Sequence, residues 1–231
     1  MRIIELNDQT KNNLLDSLLK RSPNSYGSYE QTVNEIITQI REKKDEALFA
    51  YTKQFDHCEI TKDNIKVTSK EIEEAYKKVD PKLLEVMKKS AANITEFHQK
   101  QLHNSWISPK DNGTILGQRI TPIEVSGVYV PGGKAAYPSS VLMNVLPAKV
   151  AGVSRIIMTT PPGADGKVNP ATLVAADIAG VDEVYKAGGA QAIAAMAFGT
   201  ESIPRVDKIT GPGNIFVALA KKACFGYVSI D

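Results

Sequence analysis

Residues 125–153 read VSGVYVPGGKAAYPSSVLMNVLPAKVAGV, and the rest of the chain is organised around this stretch. The apolar run at 125–130 suits a buried strand. Pro131-Gly132-Gly133 then sets two backbone-permissive residues behind one whose φ is locked, which forces a turn. Ser139 or Ser140 can cap a following helix in which Val141, Leu142, Val145 and Leu146 are the apolar positions. A strand, a glycine turn and a helix in that order make the first half of a βαβ unit. Open α/β sheets bind ligands outside the carboxyl ends of their strands, beside helix N-termini, so a nucleotide or another anionic ligand is expected at this turn.

Downstream the same alternation continues. Strands are expected at 155–160, 183–186, 208–210 and 228–230, with helices at 140–151, 171–179, 190–198 and 215–225 between them. Strict alternation argues for an α/β fold with a parallel sheet and right-handed crossovers. The breaker-rich run Pro161-Pro162-Gly163-Ala164-Asp165-Gly166 reads as a surface loop. Upstream the character changes: residues 1–120 hold 37 charged residues and 3 glycines, whereas 121–231 hold 17 and 13, so a helical region precedes the sheet. Leu14, Leu15, Leu18 and Leu19 mark a helix at 11–21, and Val33, Ile36, Ile37 and Ile40 mark one at 29–43. Asp45 is expected to cap the next, which buries Ala47, Leu48 and Tyr51. Thr68 and Glu71 have capping-box spacing before 71–79. Asp80-Pro81 opens a last helix running to about residue 103, with Leu83, Met87, Ile94 and Phe97 inward.

Composition excludes several classes. A net charge of +2 over 231 residues leaves no electrostatic footprint for nucleic acid or an anionic membrane. No apolar run reaches the length of a membrane span, and residues 1–15 contain acidic side chains and no signal-like apolar core. Cys58 and Cys224 form no CxxC, and two free thiols in a cytoplasmic protein are the simplest account.

Three strand-to-helix junctions carry glycines beside a polar side chain: Tyr129-Val130-Pro131-Gly132-Gly133, Gly188-Gly189-Ala190-Gln191 and Gly211-Pro212-Gly213-Asn214. Glycine lets backbone approach a ligand, Tyr129 can stack or hydrogen-bond, and Gln191 and Asn214 each offer an amide donor and acceptor. Any one of these could be a plain tight turn, but three on one sheet edge point to a site. Neither a P-loop nor G-x-G-x-x-G is present. His98 and His103 lie five apart, on different helix faces, and His57 follows a helix, so none suggests a metal site. Cys224, near a helix C-terminus, reads as a small buried hydrophobe, and Trp106 as a packing or interdomain residue.

The stretch GVYVPGGKAAYPSSVLMNVLPAKVAGV resembles the corresponding segment of the histidinol dehydrogenase family, and AGGAQAIAAMAFGTESIPRVDKITGPGNIFVALAKK resembles its next two blocks. DEALFAYTKQFD and FHQKQ are similar to its helical N-terminal part. That resemblance implies an aldehyde-dehydrogenase-like α/β fold with two incomplete, Rossmann-type domains. Residues 1–25 would be an N-terminal segment, 26–121 the helical part of one domain, and 122–231 the complete NAD-binding domain. It implies oxidation of L-histidinol to L-histidine through L-histidinal, with NAD as cofactor, zinc holding the substrate, and a cytoplasmic homodimer. Tyr129, Gln191 and Asn214 fall on the NAD-contacting positions. The family's zinc ligands, on a Gln-x-x-His segment and further Asp and His residues, and its Glu-His acid/base pair lie later than Asp231, so neither catalytic nor metal residues are assigned here. By this resemblance the chain is the N-terminal portion, inactive alone, with exposed apolar surface expected. A stand-alone, non-catalytic nucleotide-binding module, or a dehydrogenase of another amino alcohol, are the competing readings.

Overall fold

The computed structural model describes residues 5, 7, 8, 10–12, 14, 26–132 and 136–231. Most of the helix expected at 11–21, and Gly133 in the first junction, fall outside them. From residue 26 onward the described chain opens with four helices: α1 (Gly27–Lys43), α2 (Asp45–Asp56), α3 (Ser69–Lys78) and α4 (Pro81–Gln99). A hairpin follows, β1 (Trp106–Pro109) with β2 (Ile115–Gln118). Then the alternation begins: β3 (Val125–Tyr129), α5 (Pro138–Val150), β4 (Arg155–Thr160), α6 (Pro170–Ala179) and β5 (Glu183–Lys186). It continues through α7 (Gly189–Phe198), β6 (Lys208–Thr210), α8 (Ile215–Cys224) and β7 (Ser229–Ile230). Among the described residues no helix is long and apolar enough to cross a membrane.

The five later strands form one sheet in the order β5-β4-β3-β6-β7, every neighbouring pair parallel. The chain builds outward from β3 to β5, then returns to place β6 on the other side of β3. This reversal leaves a crevice outside the carboxyl ends of β3 and β6, the switch point where doubly wound sheets hold their ligands.

Strand pleating sorts the core into two clusters, one on each face. Tyr129, Ile157, Tyr185 and Ile209 face α7 and α8, and α1 and α2 complete that cluster with Val33, Ile36, Ile40 and Leu48. Val128, Val130, Ile156, Met158 and Val184 face the other way into α5 and α6, backed by α3 and α4 through Ala75, Met87 and Ala91. The upstream helices therefore form an outer layer on both faces of the sheet.

Residues 65–67 cover the free edge of β5: Val67 N–H donates to Val184 O and Lys186 N–H to Ile65 O, 2.9 and 2.8 Å. Covering an edge in this way removes a template for unwanted strand pairing. Beside it, Glu183 accepts hydrogen bonds from Tyr185, from Lys66 at 2.9 Å and from Arg155. Burial alone would raise the Glu183 carboxyl, but the bonds from Tyr185, Lys66 and Arg155 outweigh it and hold the group at about 2.

Thr68 and Glu71 form the expected capping box, and Asp80 caps α4 with Pro81 at its first turn. Other ends differ from expectation. Lys44, not Asp45, occupies the cap of α2; Asp45 is the first helical residue, and its buried carboxylate accepts from Ser202 Oγ at 2.6 Å. Tyr137 rather than Ser139 or Ser140 precedes α5, without a side-chain cap, and Pro138 occupies the first turn, where its missing N–H costs nothing. Helix α4 stops at Gln99, and of its expected inward residues Leu83 and Phe97 are exposed while Met87 is buried. The β1–β2 hairpin was not legible from the sequence. All its residues are exposed, including Trp106, Ile107, Ile115 and Leu116, so no buried face imposes a period of two.

Candidate functional site

A cavity of about 630 Å³ opens at the switch point, within the range that holds small ligands and cofactors. The junctions after β3, β4, β5 and β6 all reach it, through Tyr129, Pro161, Gln191 and Asn214 among others. The three residues singled out by sequence thus share one cavity, although they come from three separate junctions.

Their chemistry is narrower than composition suggests. Tyr129 is buried, and its hydroxyl oxygen accepts from Gly189 N–H at 3.1 Å, which leaves the phenol proton free to donate. Burial, opposed by the Gly189 bond and aided by the charge of Asp56, pushes the Tyr129 phenol up, so it stays neutral at ordinary pH. Asn214 caps α8: its Oδ1 accepts from Phe216 N–H at 3.1 Å and Val217 N–H at 3.2 Å. The oxygen expected to serve a ligand is thus engaged by the helix, and only the amide N–H₂ is left to donate. Gln191 lies in the first turn of α7, almost fully buried, and no described residue hydrogen-bonds its side chain.

Two glycines are required by this geometry. Gly211 has φ +118°, and a Cβ there would lie 2.0 Å from the Tyr129 carbonyl oxygen. Its N–H donates to Asp231 at 2.9 Å and its carbonyl accepts from Lys221 at 3.0 Å, so it cannot move aside. Gly189 has φ +61°, and a Cβ would meet Gln191 Oε1 at 2.7 Å, so its absence is what lets the Gln191 amide fold over the start of α7.

The upstream helices supply the remaining wall. Tyr29 of α1 meets Phe216 edge to face, ring centroids 5.3 Å apart, and Phe55 of α2 stacks on Tyr51 while its own ring is 46% exposed. Asp56 follows Phe55 and is the only charged residue among the described lining residues. Burial raises its carboxyl to about 6, with His57 pulling the other way. The sequence reading did not find Asp56, since a lone acid at a helix end carries no local signal of a distant cavity. Together the walls offer neutral donors, apolar and aromatic faces, and one carboxylate. Such a set suits a ligand with flat rings and hydroxyl donors, and NAD fits it.

Among the described residues no three His, Cys, Asp or Glu side chains converge as a metal site. The residues described here therefore do not fit the zinc that the family resemblance implies. His98 instead contacts Gln101 at 2.6 Å. Cys58 and Cys224 are free and buried, and burial, opposed by Arg41, raises the Cys224 thiol to about 11, as suits an inert core thiol.

The sequence profile of the family described as "Histidinol dehydrogenase" matches residues 19–231. This chain belongs to the histidinol dehydrogenase family. It is 52% identical to the histidinol dehydrogenase of Clostridium acetobutylicum over 231 residues, covering 100% of this chain and 53% of that protein. Against the Bacillus subtilis histidinol dehydrogenase identity is 55% over 215 residues, covering 92% and 50%. The crystal structure of histidinol dehydrogenase from Elizabethkingia anophelis superposes with a TM-score of 0.83 at 42% identity, over 87% of this chain and 46% of that one. The chain thus spans about half the length of the histidinol dehydrogenases it matches, and corresponds to an N-terminal portion of them.

Proposed function

We propose that this chain is the cofactor-binding half of an NAD-dependent histidinol dehydrogenase, which oxidises L-histidinol to L-histidine through L-histidinal. The convergence of Tyr129, Gln191 and Asn214 on one cavity at the switch point carries this reading. When bound there, NAD supplies the hydride acceptor for both oxidations. The Tyr129 hydroxyl and the Asn214 amide donate to the dinucleotide, and Gln191 offers its unengaged amide. The prolines and aromatic rings around them exclude water from its flat groups. Residues 122–231 are the cofactor-binding unit, 26–121 belong to a second, incomplete α/β domain, and 1–25 are an N-terminal segment. Substrate handling, zinc and the acid/base pair are assigned to the length of the family that this chain does not cover, and the working protein to a cytoplasmic homodimer.

The test is calorimetric titration of the 231-residue chain with NAD, beside an assay of NADH formation with histidinol, NAD and zinc supplied. NAD binding without NADH formation is expected. Absence of NAD binding overturns the site. Turnover would mean that the chain carries its own acid/base and metal groups, and the division of labour would be wrong.

A further inference from the structure

On the α6 side of the sheet's carboxyl edge lies a second cavity, of about 290 Å³, which shares the wall Gly132, Pro161 and Pro162 with the first. Thr160 ends β4 and Thr172 sits in the first turn of α6, and both line this cavity at only 2% exposure. Strand pleating accounts for the first: Thr159 Oγ1 meets Met196 Sδ of α7 at 3.7 Å, so Thr160 takes the opposite face. Among the described residues neither hydroxyl has a hydrogen-bond partner, and unlike Thr210 Oγ1 neither is sealed from the surface. Thr32, Thr38 and Thr52 satisfy theirs on the carbonyl four residues back, but the chain behind Thr172 is not helical. Two buried hydroxyls left open to one cavity must be satisfied from outside the chain. Water can do so, but the charges around these two favour an anion. We propose that this cavity binds a phosphate group, as the free ion or as a small phosphate monoester, held by Thr160 and Thr172. This holds whatever fills the switch-point cavity.

The surroundings decide the class of ligand. Lys78 reaches the cavity from the last turn of α3, and Lys167 from the loop between β4 and α6. Among the described residues neither forms an ion pair, so two positive charges stand beside the hydroxyls. Asp165 is the one carboxylate among the described lining residues, and its Oδ1 already accepts from Lys167 N–H at 3.1 Å. Asn169 caps α6 through Oδ1, which leaves its amide N–H₂ to donate. Exposed lysines alone would be ordinary surface cations; the buried hydroxyls between them are what make a site. Two hydroxyls, an amide and two ammonium groups exceed what the two oxygens of a carboxylate can accept. A phosphate group brings more acceptor oxygens and up to two negative charges. The loop is fixed in advance: Gly163 N–H donates to Lys167 O and Gly166 N–H to Gly163 O, each at 2.8 Å. Donors already in place lower the ordering cost of binding.

The experiment follows the thermal midpoint of the 231-residue chain as inorganic phosphate or glycerol 3-phosphate replaces chloride at constant ionic strength. Acetate is the carboxylate control. The variants are Thr160→Val, Thr172→Val, Thr160→Ser and Lys78→Met, and melting in chloride confirms that each is folded. The wild type should gain stability with rising phosphate and not with acetate, by mass action. Each valine variant should weaken the apparent phosphate affinity about tenfold, through loss of a hydrogen bond to a charged group, while Thr160→Ser retains it. Tighter binding of the ester assigns the cavity to a monoester and tighter binding of phosphate to the free ion; either sustains the proposal. A wild type that does not respond to phosphate overturns it, as does an equal response to acetate. Unchanged affinity in the valine variants, or in Lys78→Met should these not fold, overturns it as well. Loss of the phosphate response in saturating NAD would make the cavity part of the dinucleotide site, and a separate phosphate site would fall.

Discussion

At the β5 edge Glu183 receives hydrogen bonds from Tyr185, Lys66 and Arg155, while in the switch-point cavity the enclosed oxygen of Asp56 receives none from the described residues. The same chemical group is held at about 2 in one region and raised to about 6 in the other. At Glu183 the donors come from the chain itself, so its charge is part of the fold. At Asp56 burial dominates, so the fold bears the cost of an enclosed oxygen without a donor. These two half-buried acids differ in whether the chain itself supplies the donors.

That contrast assumes the cavity is a rigid frame with an unmet need, not a loose corner. Gly211→Ala breaks the frame most severely, by forcing a side chain into a left-handed conformation and against the Tyr129 carbonyl. Unfolding in urea should show a loss of about 3 kcal/mol or more, and a near-neutral result would mean that the junction yields. Glu183→Gln should cost about 1.5 kcal/mol, less than a fully enclosed pair because Lys66 and Arg155 are roughly half-exposed. Because the folded carboxyl lies below its unfolded value, its contribution is present above about 4.5 and lost as pH falls through about 2. The variant should lack that acid-limb dependence.

Asp56→Asn should act with the opposite sign. The folded carboxyl lies above its unfolded value, so the stability of the neutral form is complete below about 3.8 and lost as pH rises through about 6. The charge of His57 opposes this shift; Tyr129 and Cys58 are raised first by their own burial, and the charge of Asp56 adds to both. At pH 8 the variant should be more stable by about 1 kcal/mol, allowing for partial exposure, and denaturation at pH 3.5 should show almost no difference. A destabilised variant at pH 8 would end the contrast with Glu183. Asn214→Ser should change stability by only a few tenths of a kcal/mol, since serine caps helices as well as asparagine does. Its NAD affinity should still fall about tenfold through the lost amide donor. If affinity is unchanged, Asn214 serves the helix alone.

The parallel sheet was readable because β3, β4 and β5 are short apolar runs set between glycine junctions, and burial on both faces writes that pattern directly into sequence. Local capping chemistry was equally readable at Thr68 and Asp80. Tyr129, Gln191 and Asn214 could be picked because each sits within a few residues of a junction glycine. That the Asn214 oxygen is engaged by α8, and that Gly189 occupies the Tyr129 oxygen, depends on atomic geometry that residue type does not encode. Asp56 and Phe55 were missed because the packing of α2 beside α7, not any local spacing, brings them to the cavity. Asp45 was misread for a related reason: its partner, Ser202, lies far along the chain.

The bond from the Gly189 amide to the Tyr129 hydroxyl spans β4, joining the ends of two strands that are not neighbours in the sheet. That single proton is therefore shielded from exchange with solvent deuterium by a side chain rather than by a ladder or a helix. Its exchange rate follows how often the tyrosine swings away, so one backbone resonance at Gly189 becomes a clock for the opening of the cavity wall.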